Sequence, residues 1–312
     1  MTAPSQLISV VVPVYRDGLR ALAAARALAA QALPDGIDLE ILLVDDGSDD
    51  DTAQQLSQSS DPRVRTLRLP RNMGRSAARN AGAGKALGET LVFIDCDCLP
   101  AGAHFLATHF NALRGGAIAS AGHVTGSGNG FWDRYQHEAS LRRERQHARG
   151  CQGAGSSQNL AVAKAAFVQA GGFDMAYLYY GFEDRDLLLR LAALGRVAWS
   201  AQAIVQHLDA LHLGDVARKM AEAGEHTAGL FATRHSEAYR TLGYAAIDVR
   251  KQSWLRPLGR LFGPQVPALA DRLDPLLARR MPYPIARAVV KMTAALSFLY
   301  GTVRSEASKT SV

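Results

Sequence analysis

Four runs rich in β-branched and aliphatic residues, ISVVVPVY, LEILLVDD, VRTLRLP and TLVFID, recur within the first hundred residues, each separated from the next by a stretch of helical character. Strands as continuously apolar as the first two cannot leave one face in water, so the pattern demands a parallel sheet covered by helices on both sides. Helices are predicted near residues 19–33, 52–58, 75–87 and 104–113, with a further strand near 117–124. Beyond these, KAAFVQAGG and GFEDRDLLLRLAALG read as helices and RVAWSA as the last strand, with Gly195 a natural helix end. Asp17 and the acids of Ser48–Asp51 stand where helix N-caps are expected. From Asp215 onward the chain reads as helix, broken by Pro257, Pro264, Pro267, Pro275, Pro282 and Pro284. The expected class is α/β: an open, mostly parallel, doubly wound sheet with helices on both faces, plus a basic helical C-terminal extension.

Charge is divided unevenly along the chain. Residues 1–212 carry 20 Lys and Arg against 21 Asp and Glu, and 213–312 carry 15 against 8. Between Arg250 and Arg304 there are ten basic residues and two acidic ones, interleaved with apolar runs. Such a segment fits either an anionic membrane surface or packing against the rest of the protein. Arg287 and Lys291 interrupt PIARAVVKMTAALSFLYG, so a spanning helix is not expected. A nucleic-acid partner is not expected either, because no binding motif accompanies the charge. Three cysteines make no paired framework, and the N-terminal stretch lacks a basic and apolar leader, so a cytoplasmic protein is the expectation, with peripheral membrane attachment and packing against the catalytic domain as the two readings of residues 250–304.

In open parallel sheets, ligands bind beyond the carboxyl ends of the strands. Three such ends carry chemistry here: Pro13-Val14-Tyr15, Asp45-Asp46-Gly47-Ser48 and Asp95-Cys96-Asp97. Two carboxylates one residue apart repel unless a cation joins them, and a hard divalent ion bridging carboxylates to substrate phosphates is the natural counterpart. A dinucleotide fingerprint is excluded, since PVYRDG stands where G-x-G-x-x-G would be. A P-loop is excluded because Arg79 occupies the required first glycine before Gly84-Lys85.

The segments VVPVYRD, ILLVDDGSDD, RNMGRSAARNAG, FIDCD, GGFD and YGFEDRDLLLRLAALG occur in an order that resembles the family-2 glycosyltransferases, inverting enzymes of GT-A fold, over about residues 7–212. The resemblance implies a glycosyltransferase domain over 1–212, with a nucleotide-binding half to about residue 100 and an acceptor-binding half from 101, followed by the extension over 213–312. It implies a nucleotide-diphosphate sugar donor, with UDP-linked sugars favoured, and a glycan or lipid-linked saccharide as acceptor. Pro13 and Tyr15 would line the base pocket, although Tyr15 also suits a strand-end core aromatic, and Asp46 would accept from a base NH. Arg79 would serve the donor phosphates, and Asn159 the sugar or acceptor. Asp97 would bind Mg²⁺ or Mn²⁺, with Asp95 reaching the ribose or the metal and His207 a further ligand; His212 is its neighbouring alternative. Asp184 would be the general base, in a helix first turn where the dipole favours negative charge, and Glu183 would orient hydroxyls. The same acids also suit plain helix N-terminal charges. Arg142–Arg149 fits a closing lid or an exposed helix face. A non-catalytic sugar-binding module and a nucleotidyltransferase are the competing classes; the first should lack the D-x-D or E-D acids, and the second should open on a Gly-rich basic loop.

Overall fold

Val10, Val11 and Val12 alternate between two hydrophobic clusters, and this alternation sets the architecture. Even-numbered residues of the first strand (Ile8, Val10, Val12, Val14) pack with Ala21, Leu22, Ala25 and Leu28 of the helix Gly18–Ala29. Val11 faces the other way, against Ala78 and Ala83 of the helix Arg75–Lys85. Helices thus cover both faces. Gly82 lets that helix approach closely, because a Cβ there would stand 2.4 Å from Val11 Cγ1.

The computed structural model describes residues 6–279 and 281–310. Residues 1–5, on which the reading of the N-terminus partly rests, and Arg280 of the basic run lie outside the described residues. The strands are β1 (Gln6–Val14), β2 (Ile37–Asp45), β3 (Val64–Arg68), β4 (Thr90–Phe93), β5 (Cys98–Pro100), β6 (Ala119–Gly126), β7 (Leu160–Ala163) and β8 (Val197–His207). They form one sheet in the order β3-β2-β1-β4-β7-β6-β8-β5. Pairings among β1 to β4 are parallel, as is β6 with β8, whereas β7 runs against both neighbours and β5 against β8. The sheet is therefore mixed, and its far half departs from the parallel expectation at two short strands.

Two expected caps take other roles. Asp17 occupies the N-cap position of its helix without a capping bond, and lies 3.5 Å from Arg20 instead. Before the helix Thr52–Leu56 the N-cap Asp51 also makes no capping bond, while Asp50 accepts from the Thr52 backbone NH at 3.0 Å.

By contacts the chain forms two compact units. The first comprises residues up to Ser127, Gln136–Ala176 and Leu187–Asp209 and holds the sheet. The second comprises Gly128–Tyr135, Tyr177–Asp186 and residues from Ala210 on. Its core joins Leu213 and Ala217 of the helix Leu213–Glu222 with Ala270 and Leu277 of Val266–Arg279 and with Ala286 and Val290 of Tyr283–Thr310. Pro275 lies inside the helix Val266–Arg279 rather than ending it.

A polar network crosses the interior of the first unit. Asn159, fully buried, donates through Nδ2 to the carbonyls of His123 (2.7 Å) and Ala203 (2.8 Å). Its Oδ1, an acceptor only, lies 2.7 Å from His109 Nε2, so that nitrogen carries the proton. His109 Nδ1 then accepts from the Ser120 hydroxyl at 2.9 Å. Asn159, expected at the sugar or acceptor, thus joins two strands and a helix here: both Nδ2 protons and one lone pair of Oδ1 are taken by these elements.

Burial holds the His109 pKa at about 4, against an ordinary 6.5. Above pH 6.5 the neutral ring costs nothing on folding. As pH falls below that value the unfolded chain takes up a proton that the folded chain refuses until about pH 4. Stability should fall across this window by up to about 3 kcal/mol. Urea unfolding from neutral pH downward should show the loss, and His109→Gln should flatten the profile while lowering its plateau.

Candidate active site

The parallel register brings the carboxyl ends of β1, β2 and β4 to one edge, with Val14 opposite Asp45 and Val11 opposite Phe93. Tyr15 emerges at the first tip, 40% exposed, with the Arg16 guanidinium 5.2 Å from its ring centroid. Pro13 stays buried within β1. At the second tip Asp46 accepts from the backbone NH groups of Met73 (2.8 Å) and Gly74 (2.9 Å), one bond to each oxygen. Burial raises its pKa, against the lowering effect of those two bonds. Gly47 has φ +68, and a Cβ there would meet the Arg71 backbone at 2.3 Å, so the glycine allows the loop to close onto Asp46. The carboxylate thus holds the 71–74 segment, and one lone pair on each oxygen is left for any ligand.

At the third tip the two aspartates have different partners. Asp95 Oδ1 accepts from Arg79 at 2.7 Å; the arginine is almost wholly buried, with its guanidinium 5.2 Å from the centroid of the Phe173 ring. A planar guanidinium bonded in this way fixes the carboxylate's orientation. Arg71 and Arg75 are exposed, and Arg71 precedes the helix. Asp97 is placed by the short strand that follows it. β5 pairs with the end of β8, Cys98 opposite His207, and the Asp97 carbonyl accepts from Leu208 NH at 2.8 Å. Asp97 Oδ2 and His207 Nε2 are consequently 3.3 Å apart.

Burial works against charge on both members of this pair, but their mutual attraction outweighs it. Asp97 is held below the ordinary carboxylate range, and His207 above that of an imidazole. The other ring nitrogen, Nδ1, lies 3.1 Å from the Asp209 carbonyl, which can only accept, so Nδ1 donates. That bond orients Nε2 towards Asp97, as an outer-shell partner orients a ligating histidine.

Asp209, which the sequence reading passed over, joins the pair. One ligand atom from each of Asp97, His207 and Asp209 lies within 4.8 Å of the others. Two carboxylate oxygens and one imidazole nitrogen suit a hard or borderline divalent ion such as Mg²⁺ or Mn²⁺. Arg20 bonds Asp209 and stands 3.5 Å from Asp17, so a cation already lies beside these acids. Burial raises the Asp17 pKa; Arg20 opposes this, and the charges of Asp209 and Asp97 add to it. The available sequence signal was the H-L-D spacing immediately after the last strand. His212 pairs instead with Asp274 at 2.9 Å.

A second acidic group belongs to the other unit. Gly181 (φ +102) and Phe182 (φ +73) turn the chain into the helix Glu183–Ala192, whose first turn carries Glu183, Asp184 and Asp186. A bulky residue in the left-handed region costs about 1–3 kcal/mol, and Phe182 is held there by stacking on Phe231 at 4.7 Å. Glu183 accepts from Gly181 NH at 3.1 Å. Asp186, fully buried, accepts from His235 at 2.9 Å and Tyr177 at 3.4 Å. Asp184 is half-buried between them. Arg142–Arg149 falls on the last turns of the helix Phe131–Ala148 and just beyond.

The family described as Glycosyl transferase family 2 matches residues 9–169, more than half of the chain. The chain belongs to glycosyltransferase family 2. Among relatives of this glycosyltransferase, the succinoglycan biosynthesis protein ExoO of Rhizobium meliloti (strain 1021) is 40% identical over 72 residues, covering 23% of this chain and 21% of that protein. The undecaprenyl-phosphate 4-deoxy-4-formamido-L-arabinose transferase of Salmonella paratyphi B (strain ATCC BAA-1250 / SPB7) is 37% identical over 100 residues, 30% of each. The matched stretches thus span only about a fifth to a third of these relatives. The fold is also that of a mannosyltransferase from Pyrobaculum calidifontis solved with GDP-Man and Mn²⁺, at TM-score 0.61 and 19% identity over 99% of this chain and 89% of that one. GalNAc-T7 with UDP, GalNAc and Mn²⁺ matches at TM-score 0.52 and 16% identity over 66% and 43%. The family-2 glycosyltransferase therefore has the GT-A architecture, a mixed open sheet with helices, and a helical C-terminal region.

Proposed function

We propose that this glycosyltransferase moves a sugar, with inversion and dependence on a divalent cation, from a nucleotide-diphosphate sugar to a hydroxyl of a glycan or lipid-linked acceptor. UDP-linked donors are favoured. The observation that carries the reading is the gathering of Asp97, His207 and Asp209 at the edge where β1, β2 and β4 end. In this proposal residues 1–212 form the transferase domain, donor-binding to about residue 100 and acceptor-binding beyond, and 213–312 extend it.

Asp97, His207 and Asp209 would hold Mg²⁺ or Mn²⁺, which when bound neutralises charge growing on the departing diphosphate and so favours the transition state over the ground state. Asp95, fixed by Arg79, serves the ribose side of the donor. Tyr15 offers its exposed ring to the base beside buried Pro13, and Asp46 keeps lone pairs for a base NH. Asp184 takes the proton of the acceptor hydroxyl as that oxygen forms its bond to the anomeric carbon and the bond to the diphosphate breaks on the opposite face. Glu183 orients hydroxyls. A lipid-linked acceptor is supported by the similarity to the undecaprenyl-phosphate transferase. Among the described residues no helix is long and apolar enough to cross a membrane. In this proposal contact with such an acceptor is peripheral, at the cytoplasmic face.

A panel of UDP-, GDP- and dTDP-linked sugars, scored for Mn²⁺-dependent hydrolysis and thermal stabilisation, tests the donor class. One UDP-sugar should stand out. A response to no nucleotide sugar, with or without metal, would remove the reading.

A further inference from the structure

Trp254 of the turn Ser253–Leu255 and Leu258, Leu261 and Phe262 of the helix Arg256–Phe262, which the turn Gly263–Gln265 follows, present their apolar side chains outward. Trp254 is 74% exposed, Leu258 39%, Leu261 65% and Phe262 49%. Their spacing puts them along one side of a helical segment. The inward side consists of Leu255, Gly259 and Gly263, all buried. A Cβ at Gly259 would stand 2.8 Å from Val303 Cγ2, and one at Gly263 2.5 Å from the Tyr300 ring. Close approach to the helix Tyr283–Thr310 therefore requires glycine at 259 and 263, while Leu255 packs with Leu299 and Val303 of that helix. Four large apolar groups in water are unfavourable for a chain that has nothing to place against them.

Charge on the same segment identifies the occupant. Between Asp248 and Asp271 there is no acidic residue, and the stretch carries Arg250, Lys251, Arg256 and Arg260. Arg250 is paired with Asp248 and Arg256 with Glu306, so among the described residues Lys251 and Arg260, both exposed, supply the uncompensated charge. A second copy docking symmetrically through this face would set one net-positive patch against another. An exposed tryptophan with leucines and phenylalanine, flanked by unneutralised cations, matches instead the interfacial layer of an anionic bilayer.

We propose that the Trp254–Phe262 face docks this enzyme on an anionic lipid bilayer, inserting the four apolar side chains among the headgroups while Lys251 and Arg260 meet lipid phosphates. The choice of a bilayer rests on the lipid-linked acceptor proposed above. The full chain is sedimented with vesicles of phosphatidylcholine alone and of equal parts phosphatidylcholine and phosphatidylglycerol. Binding is expected to the second and to be weak on the first. Combining Trp254→Ser, Leu261→Ser and Phe262→Ser should weaken binding at least about tenfold. Lys251→Gln and Arg260→Gln should each cost about fivefold. Thermal unfolding of these surface variants should match that of the parent, so a loss of binding is not a loss of fold.

Undiminished vesicle binding by the triple variant, or binding indifferent to phosphatidylglycerol, would overturn the proposal. So would a triple variant that dissociates a lipid-free oligomer, since the face would then be a protein interface. The assay contains no sugar nucleotide. A protein that ignores vesicles yet is stabilised by a donor sinks this inference alone, whereas one that binds vesicles and responds to no donor supports it and sinks the functional reading.

Discussion

The Asp184→Asn protein should fold, bind its nucleotide sugar as the parent does, and transfer sugar about 10²–10⁴-fold more slowly. The amide keeps the size and shape of the side chain but cannot take the acceptor's proton, so the loss should fall on kcat and leave the donor KM in place. The local structure makes the substitution clean. Asp184 lies in the first turn of a helix whose entry is fixed by Gly181 and Phe182, and its neighbour Asp186 is held by His235. If Asp184 were only a favourable helix-terminal charge, Asn would cost a few tenths to about 1 kcal/mol of stability and nothing in transfer. Steady-state kinetics together with a donor-binding isotherm separate the two outcomes.

Asp97→Ala should abolish the response to Mn²⁺ and reduce transfer by at least about a hundredfold, the upper end of what is lost when even an outer partner of a metal ligand is removed. The substitution removes one of three convergent ligand groups and the carboxylate that pairs with His207 Nε2. The backbone bond from Leu208 to the residue 97 carbonyl survives it, so the strand end should stay in register. Asp209→Ala should be milder, because Asp209 is more exposed than Asp97 or His207 and shares its charge with Arg20. Activity against added Mn²⁺ for the two variants and the parent provides the comparison.

The near half of the sheet could be read directly, because β1 and β2 are buried along almost their whole length and fully buried strands write themselves as apolar runs. β7 and β5 could not: four and three residues are too few to show a period, and both are defined by antiparallel partners distant in sequence. Asp95 and Asp97 stood out as carboxylates beyond an apolar strand, and His207 through the family resemblance. Asp209 had only the H-L-D spacing to mark it, and the β5–β8 pairing is what brings the chain beyond β8 back to Asp97. The bonds of Asn159 were equally illegible: it stands in a Gly- and Ser-rich stretch, and the three buried groups that converge on it come from elements distant in sequence. Pro275 was read as a break, and tertiary packing of Leu277 and Ala270 carries the helix through it.

The most direct test of the central claim is Mn²⁺ affinity, read by the loss of its free-ion electron paramagnetic resonance signal with UDP present, in the parent and in Asp97→Ala, His207→Ala and Asp184→Asn. Asp97, His207 and Asp209 as a cation site predicts at least about tenfold weaker binding in the first two variants and parental binding in the third. Equal affinity in the parent and in Asp97→Ala would contradict it.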